Sequence, residues 1–428
     1  MSIPEHAHPK PRHIMAVCKR WNAIYTRTPA LWSCILVGGL ADFDEEFIQE
    51  QLERSENHPL DVFLRPWIPL PSIPNRILRL LHAHVSRIRI FVSACTDREY
   101  EILFPVGQSW ELPLLQVFAV IDDTTANETE PEHRIHVGQI VAPKLVNLSV
   151  GHPDLAFAFL MGTPLQSLLY LQIVNATIPM LCSHFLSLIR SCPKLRCLYL
   201  NNWFGLRQDS LAELVSSWPL ERVVLPDLTF LSVWIRLDND SLYFFRSFYF
   251  PRLQCFNFKE ILGPGGTNNF KSRVQHAWHF FREYSRTIEN LDLNPYHYIP
   301  GNVTKTFVER LVNLTILGIT RIQLPEGFLR MFLPNEDKKS NRWICPNLEL
   351  LMCRYMDIDD DVVCQIVKQR CWSDEESDSR GSSNKSEDDY VKNDFGVQIL
   401  WCSYSNDSIY GEVIKLLGTH SNAFLVKV

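Results

Sequence analysis

Short apolar segments recur along most of this 428-residue chain in the order L-x-x-L-x-L, with Ile, Val or Phe also accepted at the apolar positions. From Val85 to Leu348 the ten copies span 263 residues in nine intervals, so the mean period is about 29 residues. A period of this length is typical of a repeat protein. The copies begin at Val85, Leu115, Leu145, Leu168, Leu195, Leu220, Leu253, Ile288, Leu314 and Leu348.

Each copy has the spacing of a short β-strand, because its last two apolar positions are separated by one outward residue. The segments between copies have helical patterns, as in residues 178–195, where Leu181, Phe185 and Leu188 share one face. One strand and one helix cannot bury their apolar sides alone, so neighbouring copies must stack. The sequence therefore predicts an α/β fold, an irregular leucine-rich-repeat solenoid with parallel strands on the concave face and helices outside. We expect irregular curvature because the intervals run from 23 to 35 residues.

The repeats are expected to begin close to the start of the chain. Residues 31–38 are an apolar run suited to a buried strand, residues 42–56 form an amphipathic helical pattern, and residues 59–65 alternate as the next strand. The predicted domains are a short helical segment at residues 1–30 and the solenoid at residues 31–428.

The overall charge narrows the possible partners. A formal net charge of −6 leaves the chain as a whole without a basic footprint for nucleic acid or an acidic membrane surface. No stretch approaches the roughly twenty uninterrupted apolar residues of a membrane span, and we find no apolar signal core. The twelve cysteines include no CxxC pair, so we expect buried free thiols in a reducing compartment. The expected location is intracellular, cytoplasmic or nuclear, and the protein is not expected to be secreted.

The segment VCKRWNAIYTRTPALW, residues 17–32, differs from the repeats. Val17, Trp21 and Ile24 are spaced i, i+4 and i+7, so we expect them on one face of a helix that ends before Pro29. This segment resembles the closing part of an F-box, whose last helix carries V-C-x-x-W and is followed by a proline turn and a tryptophan. The chain as a whole resembles the F-box-like proteins with leucine-rich repeats that are common in mushroom-forming fungi.

The resemblance implies a binding adaptor with no catalytic activity and no cofactor. The F-box would bind the linker subunit of a cullin-RING (SCF-type) ubiquitin ligase, and the repeats would bind a protein substrate. From the sequence alone, a structural role in tying the helix to the first repeat explains each matching residue equally well. The residues that match the motif are Val17, Cys18, Trp21, Ile24 and Trp32.

Only 16 residues precede Val17, where the family has a leucine-proline-x-glutamate entry and two further helices. The segment HAHPKPRH, residues 6–13, is unsuited to a helix because of its prolines. We therefore expect a truncated F-box. The alternative hypothesis is a leucine-rich-repeat interaction scaffold without a ligase connection.

A substrate is expected to contact the outward residues between the leucines, because solenoids present that side as an extended concave surface. For any single position, an ordinary solvated strand residue remains the simpler interpretation. By alternation the candidates are Arg196, Tyr199, Gln254, Asn257, Asn290 and Asp292.

Residues 373–389, SDEESDSRGSSNKSEDD, contain seven acidic residues against Arg380 and Lys385, which accounts for five of the six net negative charges. The lack of apolar residues predicts a disordered loop between the last helix and a closing strand. Ser373 and Ser386 each have an acidic residue three positions later, the pattern that acidophilic kinases accept. We name both as candidate phosphorylation sites, with a plain solvated loop as the alternative.

Motifs for catalysis or metal binding are weak. The segment GPGG at residues 263–266 lacks the lysine of a phosphate-binding loop, and a turn is the better interpretation. The segment DIDDD at residues 357–361 lacks the glycine and glutamate of a calcium loop and suits a helix N-terminus. His276 and His279 are not spaced like a zinc-protease pair. We therefore predict no catalytic, metal or cofactor site.

Overall fold

The structure is a computed structural model, and the chain divides into two compact units, Met1–Ser210 and Leu211–Val428. We describe each unit by itself. The described residues are 15–37, 45–64, 73–95, 97–105, 107–120, 138–151, 158–159, 165–174, 180–203, 206–207, 222–235, 247–260, 283–294, 309–320, 328–333, 344–354, 360–372 and 396–400.

The first unit alternates short strands with short helices. The helices are α1 (Lys19–Thr26), α2 (Glu45–Arg54), α3 (Asn75–His82), α4 (Asp97–Leu103) and α5 (Cys182–Arg190), with 3-10 turns at Pro29–Trp32 and Val85–Arg87. The strands are β1 (Cys34–Val37), β2 (Leu60–Leu64), β3 (Ile88–Ser93), β4 (Ser109–Glu111), β5 (Val117–Val120), β6 (Gln139–Val141), β7 (Asn147–Val150), β8 (Tyr170–Val174), β9 (Met180–Leu181), β10 (Cys197–Trp203) and β11 (Leu206–Arg207).

Most strands of the first unit belong to one parallel sheet. Among the described residues, β1, β2, β3, β5, β7, β8 and β10 lie side by side in that order, each parallel to the next. The short strands pair separately, β4 with β6 and β9 with β11. The sequence analysis placed a strand at residues 31–38, but the chain turns through Pro29–Trp32 first, so β1 begins only at Cys34.

The second unit has the same type of sheet. Its described strands are β12 (Val223–Val224), β13 (Phe230–Ile235), β14 (Phe248–Tyr249), β15 (Cys255–Glu260), β16 (Asn290–Asn294), β17 (Ile316–Thr320), β18 (Leu350–Arg354) and β19 (Gly396–Leu400), with a 3-10 turn at Leu329–Phe332 and the helix α6 (Asp360–Trp372). Strands β13, β15, β16, β17, β18 and β19 run parallel in that order, and β12 pairs with β14. The predicted α/β fold with parallel strands is confirmed.

A turn precedes most of these strands and has the same hydrogen bond each time. The carbonyl of a buried residue accepts the amide N–H of the first apolar residue of a copy, three positions later. A proline often follows the buried residue, where its fixed φ suits a turn and its missing N–H costs no bond. The pairs are Leu112 with Leu115, Ala142 with Leu145, Leu165 with Leu168 and Cys192 with Leu195 in the first unit, and Leu225 with Leu228, Phe250 with Leu253, Leu311 with Leu314 and Cys345 with Leu348 in the second.

A second backbone pattern links neighbouring copies within each unit. The carbonyl of the residue before a strand accepts two consecutive N–H groups from the next copy, as Gln116 does from Val146 at 2.9 Å and Asn147 at 3.0 Å. In the second unit, Glu289 accepts from Thr315 at 2.7 Å and Ile316 at 3.1 Å. These shared carbonyls satisfy the turn amides before each strand begins, so the stacking of copies starts in the turn.

The apolar positions of eight of the ten predicted copies form the core. Their side chains are almost completely buried, and the register of each strand pair aligns them with one another. These copies begin at Leu115, Leu145, Leu168, Leu195, Leu253, Ile288, Leu314 and Leu348.

The other two predicted copies are wrong in register. The register pairs Phe91 with both Val62 and Phe118, so the copy predicted at Val85 begins three residues later, at Ile88. Its last buried position is Ser93, a polar residue that hydrogen bonds to the buried hydroxyl of α4 Tyr100.

The copy predicted at Leu220 is displaced as well. The main sheet uses Leu231, which the register aligns with Phe256, and the copy therefore begins at Leu228. The predicted strand residue Val223 lies instead in β12, where it pairs with Phe248.

Helix α6 is fixed to the turn before β18 by one buried arginine. The guanidinium of Arg370 donates to the carbonyls of Ile344 at 2.9 Å, Cys345 at 3.1 Å and Leu348 at 3.3 Å. Cys345 has a φ of 54°, an unfavourable conformation for a residue with a side chain, and the bond to its carbonyl helps to hold it. Burial lowers the pKa of Arg370 to about 10.

The prediction of buried free thiols is correct only in part, because Cys18 is exposed and Cys34 and Cys255 are only partly buried. Cys192 is buried, and burial raises its thiol pKa to about 12. Cys18, Cys34 and Cys255 are also free thiols, although they are not fully buried. No helix in the described part of the chain is long and apolar enough to cross a membrane.

Candidate protein-binding surfaces

The helix that carries the F-box-like motif begins later than the sequence suggested. Cys18 is extended, with φ −164° and ψ 165°, and it caps the helix by accepting the amide N–H of Trp21 on its sulfur at 3.5 Å. α1 therefore starts at Lys19, and Val17 lies outside it. The prediction that Val17, Trp21 and Ile24 share one helix is correct only for the last two.

Trp32 is a core residue. Only 1% of its surface is exposed, and its indole N–H donates to the carbonyl of Tyr25 at 2.8 Å. Its ring meets the ring of Tyr25 edge-on, with 5.1 Å between centroids, and the guanidinium carbon of Arg54 lies 4.6 Å from its centroid. The hydroxyl of Tyr25 in turn donates to the carbonyl of Leu31 at 3.0 Å. Together these contacts fasten α1 to the 3-10 turn before β1 and to α2, so a structural role explains Trp32.

Three other motif residues are exposed. The exposed fractions are 68% for Val17, 52% for Trp21 and 45% for Ile24, and we call these three residues the α1 apolar surface. Large apolar side chains grouped on a surface typically mark an interaction site. The exposed basic residues Lys19 and Arg20 stand beside them, so a partner surface with an apolar centre and an acidic rim would be complementary.

Of the two candidate substrate residues in the first unit, one lies on β10 and the other lies just before it. Tyr199 is on the outward side of the strand, where its ring centroid is 5.0 Å from that of Tyr170 on β8. The hydroxyl of Tyr170 donates to the side chain of Gln172 at 2.7 Å, and burial raises the pKa of Tyr170 to about 12. Arg196 precedes β10, and its amide donates to the carbonyl of Leu169. Arg196 is therefore a turn residue, and its prediction as a strand position is wrong.

The candidates of the second unit are also divided between turn and strand. Gln254 precedes β15 and donates its side-chain amide to Glu289 at 3.1 Å, so it too is a turn residue. Asn290 lies on β16, where it donates to the sulfur of Cys255 at 3.2 Å and accepts from the hydroxyl of Thr315 at 3.1 Å. These side chains link neighbouring copies.

Asn257 and Asp292 face outward side by side, aligned by the register of β15 and β16. Asp292 was a sequence candidate, but its neighbours Arg354 and Gly318 were not. One carboxylate oxygen of Asp292 lies 3.8 Å from a terminal nitrogen of Arg354, and the other is buried without a hydrogen bond. The second oxygen lies so close to Gly318 that a Cβ there would be 2.7 Å from it. Burial raises the pKa of Asp292, and the nearby Arg354 only partly opposes this effect.

Trp234, Lys259 and Arg354 were missed because they follow the last apolar position of their copies. The alternation of a strand continues through that position, so each of them faces outward. Extending the pattern by one residue would have found Lys259 and Arg354, whereas finding Trp234 also required the copy to begin at Leu228.

The remaining predicted sites are not part of the described structure. Ser373, Ser386 and the acidic segment 373–389 lie outside the described residues, as do His276 and His279. Within the part of the chain that is described, no group of three or more His, Cys, Asp or Glu side chains is placed to hold a metal ion.

Fold and surfaces together define an α/β protein whose units are built from repeated turns and parallel strands, with apolar and polar surfaces exposed beside them. No protein-family model matches the chain, and no curated protein is found to be similar to it.

Proposed function

We propose that this protein is a substrate-recognition adaptor of an SCF-type ubiquitin ligase, built as an irregular leucine-rich-repeat solenoid with an F-box-like segment. The α1 apolar surface binds the linker subunit of the ligase, and the outward strand faces bind a protein substrate. The adaptor acts through binding alone, in the cytoplasm or nucleus.

One observation carries the ligase part of this proposal: the contrast between Trp21 and Trp32. Both belong to the same F-box-like motif, yet Trp32 is buried while Trp21 is about half exposed. A helix that served only to close the sheet would gain stability by burying its large apolar side chains, at roughly 25 cal/mol per Å². Leaving Val17, Trp21 and Ile24 in solvent fits a surface that a partner covers.

The alternative is a repeat scaffold without a ligase connection, and it also has a supporting observation. Tyr25 and Trp32 fasten α1 to the first strand region, which is the role of a terminal cap. A cap would need no linker subunit.

Co-purification of the full chain with the SCF linker subunit separates the two hypotheses. For the adaptor we expect a stoichiometric complex that is weakened about 30-fold by Trp21→Ala, since truncating a central interface tryptophan costs about 2 kcal/mol. Val17→Asp should weaken it as well. Val312→Asp is the matched control, because Val312 is also exposed, at 39%, but belongs to the second unit.

Either of two results would contradict the ligase role. One is a folded wild-type chain that forms no complex, which favours the scaffold. The other is a complex that Trp21→Ala and Val312→Asp leave equally intact, which would show that α1 does not make the contact.

A further inference from the structure

Two cations stand at the same outward level of the sheet in the second unit. Strand register aligns Lys259 of β15 with Asn294 of β16, and Thr320 of β17 with Arg354 of β18; the pairing of Leu293 with Ile319 brings the two pairs to the same level, where Thr320 is buried. We call these four residues the outward row. Because strands lie about 4.8 Å apart, β15 and β18 are separated by roughly 14 Å.

Among the described residues, neither cation has a carboxylate oxygen within hydrogen-bond distance. The Nζ atom of Lys259 lies over the ring of Trp234, 3.9 Å from its centroid. Arg354 has one terminal nitrogen 3.8 Å from Asp292 and donates from the other to the sulfur of Met352 at 3.4 Å. Its Nε is buried and has no hydrogen-bond partner. A thioether is a weak acceptor and the Asp292 oxygen lies beyond hydrogen-bond distance, so the two terminal nitrogens remain able to bind an anion, whereas the buried Nε does not.

The first unit shows what a closed arginine-aspartate pair looks like on such a face. Arg89 of β3 donates from Nε at 3.0 Å and from a terminal nitrogen at 2.6 Å to the two oxygens of Asp61 on β2. This two-bond arrangement is the strong form of the interaction, and it raises the pKa of Arg89. Arg354 has the same partner type within reach but leaves the corresponding bonds unmade.

Asp292 packs against Gly318 as well as facing Arg354. Its second oxygen lies against Gly318, and a Cβ at position 318 would also be 3.3 Å from the terminal methyl of Met352. The carboxylate therefore fills the space above the glycine, and its other oxygen stays 3.8 Å from Arg354, beyond hydrogen-bond distance. It also places a like charge beside any anion that approaches Arg354.

We propose that the outward row binds an extended acidic segment of a protein partner. One carboxylate of that segment pairs with the terminal nitrogens of Arg354, and a second one meets Lys259 beside Trp234. This inference rests on the substrate-face part of the proposed function and is independent of the ligase connection. Two glutamates four positions apart in an extended chain are about 13 Å apart, which matches the separation of β15 and β18.

A synthetic peptide tests this directly. The probe is a fluorescein-labelled glycine-serine peptide with two glutamates four positions apart, titrated with the full chain at low salt and followed by fluorescence anisotropy. The same peptide with two glutamines is the neutral control. We expect at least tenfold tighter binding of the glutamate peptide, and a loss of that difference at high salt.

Variants locate the contact. Arg354→Gln is expected to weaken glutamate-peptide binding about tenfold, and Lys259→Gln is a second variant with the same expected direction. Asp292→Asn is expected to strengthen binding severalfold because it removes the like charge. Arg89→Gln is the matched control, since it removes an outward arginine that already has its carboxylate.

Three outcomes would overturn the inference: equal affinity for the two peptides, unchanged affinity in both Arg354→Gln and Lys259→Gln, or an equal loss in Arg89→Gln. Unfolding by urea, followed by circular dichroism, checks that each variant is folded. Failure of peptide binding with an intact linker complex removes only this inference. Loss of the linker complex with peptide binding retained removes only the ligase role.

Discussion

Replacing Trp32 with alanine is expected to detach α1 from the first strands, whereas replacing Trp21 is not. Removing a buried tryptophan costs roughly 3–5 kcal/mol. For Trp32 that figure includes the indole bond to the carbonyl of Tyr25 at 2.8 Å and the edge-on ring pair, each worth about 1 kcal/mol. Trp21 is half exposed, and the hydrogen bond it makes to Cys18 uses its backbone amide, so Trp21→Ala should change stability by no more than about 0.5 kcal/mol.

The loss should be local, because each copy of a repeat protein contacts mainly its neighbours. Hydrogen exchange measured by mass spectrometry can detect this, since it reports the free energy of local opening segment by segment. A cost of about 3 kcal/mol corresponds to exchange more than 100-fold faster in β1, with β16 and β17 unchanged. Unchanged exchange in β1 for Trp32→Ala, or the same acceleration for Trp21→Ala, would refute the assignment of Trp32 to the core and of Trp21 to the surface.

Three further predictions, made with five substitutions, test other parts of the fold. Arg370→Ala should cost roughly 3 kcal/mol because three turn carbonyls lose a charged donor. Arg370→Lys should recover little of this stability, since one ammonium group cannot reach all three carbonyls. Hydrogen exchange in β18 measures both effects. Gly138→Ala would place a Cβ against the carbonyl of Gln108 and 2.8 Å from that of Pro105, and should cost about 3 kcal/mol in urea unfolding. Gly107→Ala, where a Cβ has open space, should cost about 1–2 kcal/mol through its φ of 83° alone. Burial raises the pKa of Asp292, so ionisation of this carboxyl disfavours the folded state. Asp292→Asn should therefore increase the free energy of unfolding at pH 7, and the difference from wild type should disappear as the pH falls to about 4. A difference in free energy that stays constant with pH would contradict the mechanism.

Sequence periodicity predicted the parallel sheet and most of its register, and the two errors have identifiable causes. Around β3, apolar residues occupy positions 88, 90, 91 and 92, so more than one frame fits the pattern. The frame that the structure uses ends in Ser93, which is buried because Tyr100 supplies a hydrogen-bond partner. A search for apolar residues cannot favour a frame that ends in serine, since the partner comes from another element.

The error at Leu220 has a different origin. Both Leu220 and Leu228 begin an acceptable apolar segment, eight residues apart. Leu228 is preceded by the buried Leu225, a proline two positions before it and the turn hydrogen bond that most other copies share, whereas Leu220 lies outside the described residues and has no proline at that position. Including Pro226 in the pattern would have placed this copy correctly.

The candidate surfaces were harder to predict than the strands. Apolar spacing in α1 cannot distinguish a side chain that packs against the protein from one that faces solvent, and the structure separates Trp32 from Trp21 on this point. The outward row depends on which strands are neighbours, because Lys259 and Arg354 are far apart in the chain and reach the same level only through the register of the sheet.

The shared carbonyls between copies have a consequence for how this chain can change in length. The turn, the strand and the carbonyl that joins them to the next copy all lie within nine residues, for example Ala142 to Val150. The connections between these nine-residue segments vary in length, since successive copies in the described register start 23 to 35 residues apart. An insertion or deletion in a connection therefore leaves the strand face unchanged, whereas one within the nine residues shifts every outward side chain of that strand to the opposite side. Related proteins can therefore change the connections between strands by gaining and losing residues, while the outward strand faces change only by substitution.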